Sequence, residues 1–341
     1  MAAYERIDSP DATTVFEYHD LTPPTLRDVY AARRVIGSDL PRTPLVRSEP
    51  LSEELNAEVY LKREDTLPTG AFKVRGGLNL VHDLPVEFRD PGLIAASTGN
   101  HGQSVAYAGR AADVPVRIVV PEDANPTKVA AIERYGATVE HHGADYDEAR
   151  EHAESRAADE GFRYVHSANE PRLIAGVATA GLEIVEDLPA VDTVIVPVGG
   201  GSGASGYCLT AGRLADARVI GVQSRAADAA HRAFHEGHLA PAESAETFAE
   251  GLATRTPFAL TMGILREELA DMLRVTDTEL RRAIYDLVDR DGVLAEGATA
   301  AGVAAARNLG ESIAGERVVL PVTGRNLATD KLHTVLERHR E

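Results

Sequence analysis

The sequence predicts an α/β protein in which helices cover parallel sheets. Short apolar stretches alternate with amphipathic, alanine-rich stretches along most of the 341 residues, which is the pattern of strand–helix–strand units. Apolar residues make up 44% of the chain, enough for a large buried core. Glycine-rich turns join several apolar stretches to the helix that follows, and open α/β sheets bind ligands at such turns. A chain of this length corresponds to two globular lobes or one large α/β unit.

The apolar stretches predict seven strands, at residues 59–62, 93–96, 116–120, 138–141, 193–198, 219–222 and 318–322. The clearest helices are predicted at residues 105–112, 128–135, 145–159 and 278–289. Because helices connect the strands, the strands are expected to run parallel, with helices on both faces of the sheet. No internal repeat or long linker divides the chain.

The turn after the predicted strand at 193–198 is the richest in glycine. It reads VGGGSGASG over residues 198–206. Consecutive glycines let the backbone approach an oxyanion closely, and the helix that follows offers unpaired N–H groups. We therefore predict a phosphate-binding loop, with a ligand-free tight turn as the alternative. The turn lacks the Gly-Lys-Ser/Thr of a P-loop and fits the dinucleotide fingerprint poorly.

Two further turns carry polar side chains. The segment AASTGNHGQSVAYAG at residues 95–109 could hold a carboxylate on its N–H groups, and Asn100 could donate to an oxygen. In LKREDTLPTGAFKVRGG a helix is predicted from Ala71, which places Lys73 in its first turn. A cation there opposes the helix dipole, which favours a lowered pKa and suits Schiff-base chemistry. A ligand-free helix cap and a solvated surface lysine are the alternatives.

The charge balance narrows the classes of partner. There are 35 Lys and Arg against 53 Asp and Glu, a net charge of −18, which argues against nucleic acid or an anionic membrane as partner. Only four basic residues are lysines: Lys62, Lys73, Lys128 and Lys331. Such a surface favours a salt-adapted protein over an ordinary acidic enzyme.

Cysteine content and hydropathy predict the compartment. The single Cys208 fits a reducing cytoplasm. We expect neither a membrane span nor a secretory signal, because long apolar runs are missing and the first residues are polar and acidic.

Taken together and in this order, the glycine-rich turns resemble those of fold-type II pyridoxal-phosphate enzymes, specifically the threonine/serine dehydratase and serine racemase branch. The matching segments are KREDTLPTGAFKVRG, STGNHGQ, GGGSGASG and the closing TGRN at residues 323–326. The resemblance implies a two-lobed, tryptophan synthase β-like architecture with pyridoxal phosphate between the lobes, and a homodimer. The large domain would cover residues 1–91 and 168–341, and a small inserted α/β domain would cover residues 92–167.

The resemblance also assigns roles to individual residues. Lys73 would bind the cofactor as a Schiff base and move the Cα proton of the substrate. The other cofactor-binding residues would be Phe72 beside the ring, Asn100 at the 3′-oxygen, Thr323 at the pyridine nitrogen, and Gly199, Gly200, Gly201, Ser202 and Gly203 at the phosphate. The substrate carboxylate would lie against Ser97, Thr98, Gly99 and His101, with His101 chiefly shaping the turn. Thr98 is counted as catalytic with Lys73, because racemases use a serine at its position to reprotonate the opposite face.

The implied activity is that of an L-threonine ammonia-lyase with L-serine as second substrate, giving 2-oxobutanoate or pyruvate and ammonia. A hydroxyl such as that of Thr323 does not force a proton onto the pyridine nitrogen. The ring would then be a weaker electron sink, which favours β-elimination over transamination. Serine racemase, 3-hydroxyaspartate dehydratase and a threonine synthase-like replacement enzyme are the alternatives among enzymes. Outside the enzymes, the alternatives are a noncatalytic protein that binds pyridoxal phosphate and a phosphate-binding module without cofactor.

The chain departs from the family pattern in its loops. Ser202 and Gly203 replace the fourth glycine and the leucine of the phosphate loop, and Arg325 replaces a glycine of the closing motif. Glu296 aligns with an active-site glutamate of the family. The few residues after TGRN predict no C-terminal isoleucine-binding domain.

A divalent cation site is not expected. Several relatives bind the ion through carboxylates after the strand at 219–222, where this chain has Gln223 and Ala229. Asp228 alone cannot supply the several oxygen ligands that a hard cation needs. It is therefore predicted to cap a helix or to lie on the surface.

Overall fold

The computed structural model describes residues 21–338, which form ten strands in two sheets. In chain order the strands are β1 (Leu45–Arg47), β2 (Glu58–Lys62), β3 (Leu93–Ala96), β4 (Val116–Val120), β5 (Thr138–His141), β6 (Arg163–Tyr164), β7 (Thr193–Pro197), β8 (Arg218–Ser224), β9 (Asp271–Val275) and β10 (Arg317–Pro321). The larger sheet has the order β1-β2-β10-β7-β8-β9 and the smaller has the order β5-β4-β3-β6.

Helices connect and cover the strands. They are α1 (Leu26–Ile36), α2 (Glu49–Leu55), α3 (Val74–His82), α4 (Asn100–Ala111), α5 (Pro126–Glu133), α6 (Tyr146–Glu160), α7 (Pro171–Asp187), α8 (Ser202–Tyr207), α9 (Arg213–Ala215), α10 (Ala229–Glu236), α11 (Ala259–Glu268), α12 (Asp277–Asp291), α13 (Gly297–Leu309) and α14 (Thr329–Arg338). A π-helical turn at Cys208–Gly212 joins α8 to α9. Among the described residues no helix has both the length and the apolar character needed to cross a membrane.

The predicted α/β class is confirmed, with one exception to the parallel arrangement. All strand pairs are parallel except β1 with β2, which are antiparallel at the edge of the larger sheet. All seven predicted strands are present, with ends shifted by at most two residues. The sequence did not predict β1, β6 and β9, which are a short exposed edge, a pair of residues, and a strand whose burial is only partial.

Alternating residues of the central strands feed cores on opposite faces of each sheet. In β7, Val194 and Val196 pack in one core, and Ile195 packs in a second core across the sheet. In β3, Leu93 and Ile94 likewise belong to separate cores. Since successive side chains of a strand point to opposite faces, both faces must be covered by helices.

Close helix packing fixes the position of α3. A Cβ atom at Gly77 would lie 2.6 Å from Ser104 Oγ on α4, and one at Gly76 would lie 2.8 Å from the carbonyl oxygen of Leu173 on α7. Both glycines therefore permit helix approaches that a larger residue would block. Lys73 immediately precedes α3, so this packing also determines where its side chain starts.

The helices α1 and α3 also contribute to the core beneath the smaller sheet. Ile36 and Val74 pack there in one cluster with Leu93 of β3. The strands of the smaller sheet all lie between residues 93 and 164, whereas these two helices precede that range. The division of the chain into domains at residues 92 and 167 remains a prediction.

Candidate active site

The parallel topology brings the predicted motifs to the carboxyl ends of neighbouring strands. The glycine loop at residues 199–203 follows β7, and the closing segment at 323–326 follows β10, its neighbour in the sheet. In the larger sheet β8 and β9 lie on one side of β7, and β10 lies on its other side, so the strand order changes direction at β7. Ligands of open α/β sheets bind at such a switch point. The turn at residues 97–101 occupies the corresponding place after β3 of the smaller sheet.

A cavity of about 700 Å³ lies between these segments. The cavity is lined by every residue predicted for the site from the sequence: Phe72, Lys73, Ser97, Thr98, Gly99, Asn100, His101, Gly199, Gly200, Gly201, Ser202, Gly203 and Thr323. Glu296 also lines the cavity. The roles assigned to these residues remain predictions, but the fold brings the whole set together.

Lys73 extends into the cavity from the start of α3. Its Nζ donates to the carbonyl oxygen of Ser167 at 2.8 Å and to Ser202 Oγ at 2.9 Å. Burial lowers the pKa of Lys73 to about 8. The sequence pattern predicted Lys73 inside the first turn of a helix, with a pKa lowered by the helix dipole. Lys73 instead stands at the N-cap position before Val74, and desolvation is the cause of the shift.

The glycine loop exposes backbone donors to the cavity. Gly201 has a φ of 89°, a left-handed conformation that favours glycine, and α8 begins at the next residue. The first N–H groups of that helical stretch have no intrahelical acceptor. A Cβ at Gly203 would lie 3.1 Å from the ring of Phe72, so glycine here lets the ring pack against the loop.

These residues fit a ligand that carries a phosphate and an aldehyde. The loop offers several N–H donors for an oxyanion, and Lys73 offers an amine that is partly unprotonated near neutral pH. Both line one cavity. The donor set of this chain is therefore suited to pyridoxal phosphate.

The turn after β3 is arranged to receive a carboxylate. The N–H of Gly99 donates to Ser97 Oγ at 3.1 Å, which leaves the Ser97 hydroxyl proton for another acceptor. A Cβ at Gly99 would meet nothing within 4 Å, so the backbone here is open. The helix α4 begins at Asn100, and its first N–H groups favour an anion.

The hydrogen bond and the burial of the His101 ring argue against a role in acid–base catalysis. Its Nε2 lies 2.8 Å from the carbonyl oxygen of Val165, which requires a proton on that nitrogen. Burial, together with the nearby charge of Lys73, lowers the pKa of His101 to about 3. The ring is therefore neutral at physiological pH and braces the turn.

A hydrogen-bonded row of side chains links the carboxylate turn to the closing segment. Asn100 Nδ2 donates to Glu296 at 2.8 Å, and Asn326 Nδ2 donates to Asn100 Oδ1 at 2.7 Å. Burial raises the pKa of Glu296. A Cβ at Gly324 would lie 2.7 Å from Glu296 Oε1, so the glycine of the closing motif makes room for this carboxyl group.

Ion pairs hold the rim of the cavity. The rim segment, residues 248–255, carries Glu250, which pairs with Lys128 of α5 and with Lys331 of α14. The same segment carries Arg255, which pairs with Asp147 of α6 at 3.3 Å. Sequence patterns did not indicate these residues as parts of the site, because each pair joins positions far apart in the chain. The scarcity of lysine was the one signal that could have singled out Lys128 and Lys331.

The structure shows the contacts of three residues at which the chain departs from the family pattern or from its metal site. Gln223 Oε1 accepts the backbone N–H of His231 at 2.8 Å. Asp228 precedes α10 at the N-cap position without a capping bond, and pairs instead with Arg274 at 2.6 Å. Arg325 is exposed, and its N–H donates to the carbonyl oxygen of Gly70 at 2.9 Å.

Comparison with known proteins gives a consistent result. Residues 38–324 match the family described as "Pyridoxal-phosphate dependent enzyme". An L-threonine ammonia-lyase of Thermotoga maritima is 36% identical over 315 residues, covering 92% of this chain and 78% of that protein. An L-threo-3-hydroxyaspartate ammonia-lyase of Saccharomyces cerevisiae is 33% identical, covering 92% of this chain and 96% of that protein.

Solved structures agree with these sequence matches. The processed form of threonine deaminase isoform 2 from Solanum lycopersicum superposes with a TM-score of 0.87 at 31% identity, covering 94% of this chain and 96% of its own. Maize serine racemase gives the same TM-score at 27% identity, covering 93% and 98%. The protein thus belongs to the pyridoxal-phosphate dependent enzyme family, in the fold-type II branch that contains the threonine and serine dehydratases.

Proposed function

We propose that this protein is a pyridoxal-phosphate dependent L-threonine ammonia-lyase, which converts L-threonine to 2-oxobutanoate and ammonia and accepts L-serine as a second substrate. The observation that carries the proposal is Lys73, a buried amine in a cavity that also contains an anion-binding glycine loop and a carboxylate-binding turn. The likeness to L-threonine ammonia-lyases over most of the chain supports it.

The residues of the cavity have separate tasks. The N–H groups of the glycine loop bind the phosphate, and the turn at residues 97–101 binds the substrate carboxylate. Bound pyridoxal phosphate supplies an electron sink for the bond electrons released at Cα. Lys73 takes the Cα proton on Nζ, and the resulting ammonium group can return a proton to the leaving hydroxide, which departs as water. The released enamine hydrolyses to the 2-oxo acid and ammonia.

The charges at the rim favour a substrate with a neutral side chain. Lys128 and Lys331 are both paired with Glu250. Arg255 pairs with Asp147 at 3.3 Å, and Arg150 pairs with Glu154 at 3.0 Å. A second substrate carboxylate would have to displace one of these partners. The arrangement therefore supports threonine as the preferred substrate. It disfavours 3-hydroxyaspartate, which is the substrate named for two of the relatives.

The compartment, the oligomeric state and the partners of the enzyme are proposed from its composition and its family. We propose a cytoplasmic homodimer whose partner molecules are amino acids, with neither nucleic acid nor membrane among its partners. The net charge of −18 supports the exclusion of nucleic acid and anionic membrane, and the single cysteine supports a reducing cytoplasm. The homodimer rests on the family resemblance alone.

The proposal is tested by release of 2-oxo acid from L-threonine. The purified protein is assayed with added pyridoxal phosphate in about 1–2 M KCl, which screens the acidic surface. L-Serine and L-threo-3-hydroxyaspartate are assayed in parallel. We expect 2-oxobutanoate from threonine at a higher kcat/KM than product from either competitor, and none from Lys73→Ala. Lys331→Ala, which removes a rim lysine, is the matched control and is expected to retain turnover.

Each contrary result points to another reaction. A higher kcat/KM for 3-hydroxyaspartate would transfer the assignment to that substrate. Interconversion of L- and D-serine without 2-oxo acid release would favour a racemase instead.

A further inference from the structure

A short turn at residues 166–169 follows β6 and contacts Lys73 through its backbone. The carbonyl oxygen of Ser167 accepts from Lys73 Nζ at 2.8 Å. The turn also packs on the glycine loop, since a Cβ at Gly200 would lie 2.9 Å from Cβ of Ala168. A carbonyl oxygen can only accept a hydrogen bond. Lys73 is therefore the donor in this contact, whether its nitrogen is an amine or an ammonium group.

The side chain of His166 shapes this turn. Its Nδ1 lies 2.9 Å from the backbone nitrogen of Ala168 and 2.9 Å from that of Asn169. A backbone N–H can only donate, so both N–H groups point to Nδ1. That nitrogen must carry a lone pair, which assigns the tautomer of the ring. His166 thus accepts from the N–H groups two and three residues further on, as asparagine does in turns and helix caps.

One planar peptide unit carries this contact to Lys73. The N–H of Ala168 and the carbonyl of Ser167 belong to the same unit, and none of the described peptide bonds is cis. In a trans unit these two groups point in opposite directions. With the N–H bonded to His166 on one side, the carbonyl must face the other side, where Lys73 Nζ lies. We propose that His166 fixes this peptide unit and so holds the Ser167 carbonyl against the Lys73 amine.

Packing holds the His166 ring in place outside the cavity. The ring is 3% exposed and does not line the cavity. It stands edge-to-face with Phe258 at a centroid distance of 4.7 Å and with Tyr164 at 6.2 Å. The far end of the turn is anchored by Asn169, whose Oδ1 accepts the N–H of Leu260 on α11 at 3.1 Å. The peptide unit is therefore held by contacts that a ligand in the cavity does not touch.

The inference rests on the proposed function, in which Lys73 is the reactive amine. A carbonyl acceptor stabilises the ammonium form more than the neutral amine, because hydrogen bonds to charged groups are the stronger ones. It therefore opposes part of the effect of burial, and it directs Nζ to one place in the cavity. His166 acts through the backbone of Ser167 and is a positioning residue.

The test compares two amides at position 166. Counted from Cβ, the oxygen of asparagine stands at the place of Nδ1, and the oxygen of glutamine stands at the place of Nε2. His166→Asn can therefore accept both N–H groups of the turn, whereas His166→Gln puts its acceptor elsewhere. His166→Leu removes the acceptor altogether. Ser167→Ala, which keeps the backbone carbonyl, is the control for the side chain of that residue.

The readout is the titration of Lys73 itself. The full chain without cofactor is labelled with ¹⁵N-lysine, and the Nζ chemical shifts are followed by NMR across a pH series. The chain has four lysines, and the signal of Lys73 is the one that Lys73→Arg lacks. We expect a midpoint near pH 8 for the wild type, for His166→Asn and for Ser167→Ala. In His166→Gln and His166→Leu the pKa of Lys73 should be lower by about one, which is a tenfold change in the protonation equilibrium.

The other titratable groups around Lys73 are the same in every variant. His101 on α4 and Tyr146 on α6 line the cavity and are uncharged near neutral pH, since desolvation lowers the pKa of His101 to about 3 and raises the pKa of Tyr146 to about 12. Glu296 on α13 lines the cavity with its carboxyl group. The glycine loop contributes the neutral hydroxyl of Ser202. A difference among the variants at position 166 therefore reports the turn.

The outcomes are distinguishable. Thermal unfolding establishes that each variant is folded, and if His166→Leu is not, the two amides alone decide. The proposal is overturned if His166→Gln titrates at or above the wild-type midpoint, or if His166→Asn shifts as far as His166→Gln. Failure of the proposed function gives a different pattern, in which the Lys73 titrations behave as expected and the wild type releases no 2-oxo acid from threonine.

Discussion

Lys62 and Lys73 differ in the groups that surround their side-chain nitrogen atoms. Lys62 is fully buried, and its Nζ pairs with Glu183 at 2.7 Å and donates to the carbonyl oxygen of Thr43 at the same distance. Lys73 has neutral oxygen partners, from Ser167 and Ser202. A buried ammonium without a countercharge loses its proton more easily than one in water, and burial lowers the pKa of Lys73 to about 8. The reactive amine therefore arises from burial without a paired acid.

The pKa of Lys73 predicts the pH dependence of cofactor capture. A free amine attacks an aldehyde and an ammonium group does not. Because burial lowers the pKa of Lys73 to about 8, the unprotonated form dominates above that pH and disappears below it. The rate at which the cofactor-free protein takes up pyridoxal phosphate, followed by visible absorbance, should rise with pH and level off with a midpoint near 8.

Lys73→Arg is the control, since it keeps the positive charge but forms no covalent bond; it should show no such absorbance. A midpoint near 10.5, the ordinary value for lysine, would show that burial does not tune this amine.

At the residue scale, sequence motifs predicted the side chains of the site but not their partners. Every residue assigned from a motif lines the cavity, since motif residues lie at the carboxyl ends of strands that the parallel topology brings together. The carbonyl of Ser167 has no side-chain signature. Such contacts depend on tertiary structure, which one sequence does not contain.

At the level of elements, the rim segment connects the two sheets across the cavity. Most of its residues line the cavity, and Gly251 packs on the glycine loop so closely that a Cβ at Gly199 would lie 2.2 Å from the Gly251 carbonyl oxygen. Glu250 ties the segment to α5 and α14, and Arg255 ties it to α6. The segment therefore covers the phosphate-binding loop and is held in place by ion pairs.

Removing the charge of Glu250 should loosen this cover. In Glu250→Gln the pairs with Lys128 and Lys331 are lost. Partly exposed ion pairs contribute about 0.5–1 kcal/mol, so we expect the bound cofactor to dissociate about two- to fivefold faster, measured by loss of visible absorbance in the presence of a scavenger. The difference from wild type should shrink at high KCl, because salt screens such pairs.

Glu246→Gln is the matched control, because Glu246 is exposed just outside the rim segment and does not line the cavity. Its release rate should equal that of the wild type. Equal rates for Glu250→Gln and Glu246→Gln would contradict a role for the ion pairs in holding the segment.

The same scale shows which elements a sequence can predict. Strands buried on both faces, such as β3 and β7, read as continuous apolar runs and were predicted with nearly correct ends. The strand β9 mixes Asp271 and Arg274 with apolar residues, so its pattern resembles a loop. The short edge strand β1 is recognised only through its pairing with β2.

For the whole molecule, a buried charge network and an acidic surface respond differently to salt. Arg75 is buried, donates to Glu64 at 2.7 Å and to Glu183 at 2.8 Å, and lies far from screening ions. Although burial alone would raise it, hydrogen bonds and the charge of Arg75 lower the pKa of Glu183 to about 2. The stabilisation from this carboxylate is fully present above its ordinary pKa of 4.5 and is lost progressively as the pH falls from there through about 2. The exposed carboxylates contribute repulsion instead, which ions can screen.

The excess of 53 acidic over 35 basic residues predicts that salt stabilises the folded protein. Self-repulsion of a net charge of −18 weakens the compact state, and raising KCl from about 0.1 M to about 2 M shortens the Debye length from about 10 Å to a few Å. Surface ion pairs such as Arg213–Glu268 are weakened by the same screening, but each contributes little, so repulsion should dominate. We therefore expect the Tm of the holoenzyme to rise with KCl. Sucrose at matched osmolality is the control, because it strengthens burial without screening charge. A Tm that falls with KCl, or that rises equally in sucrose, would show that screening of the acidic surface is not what stabilises this protein.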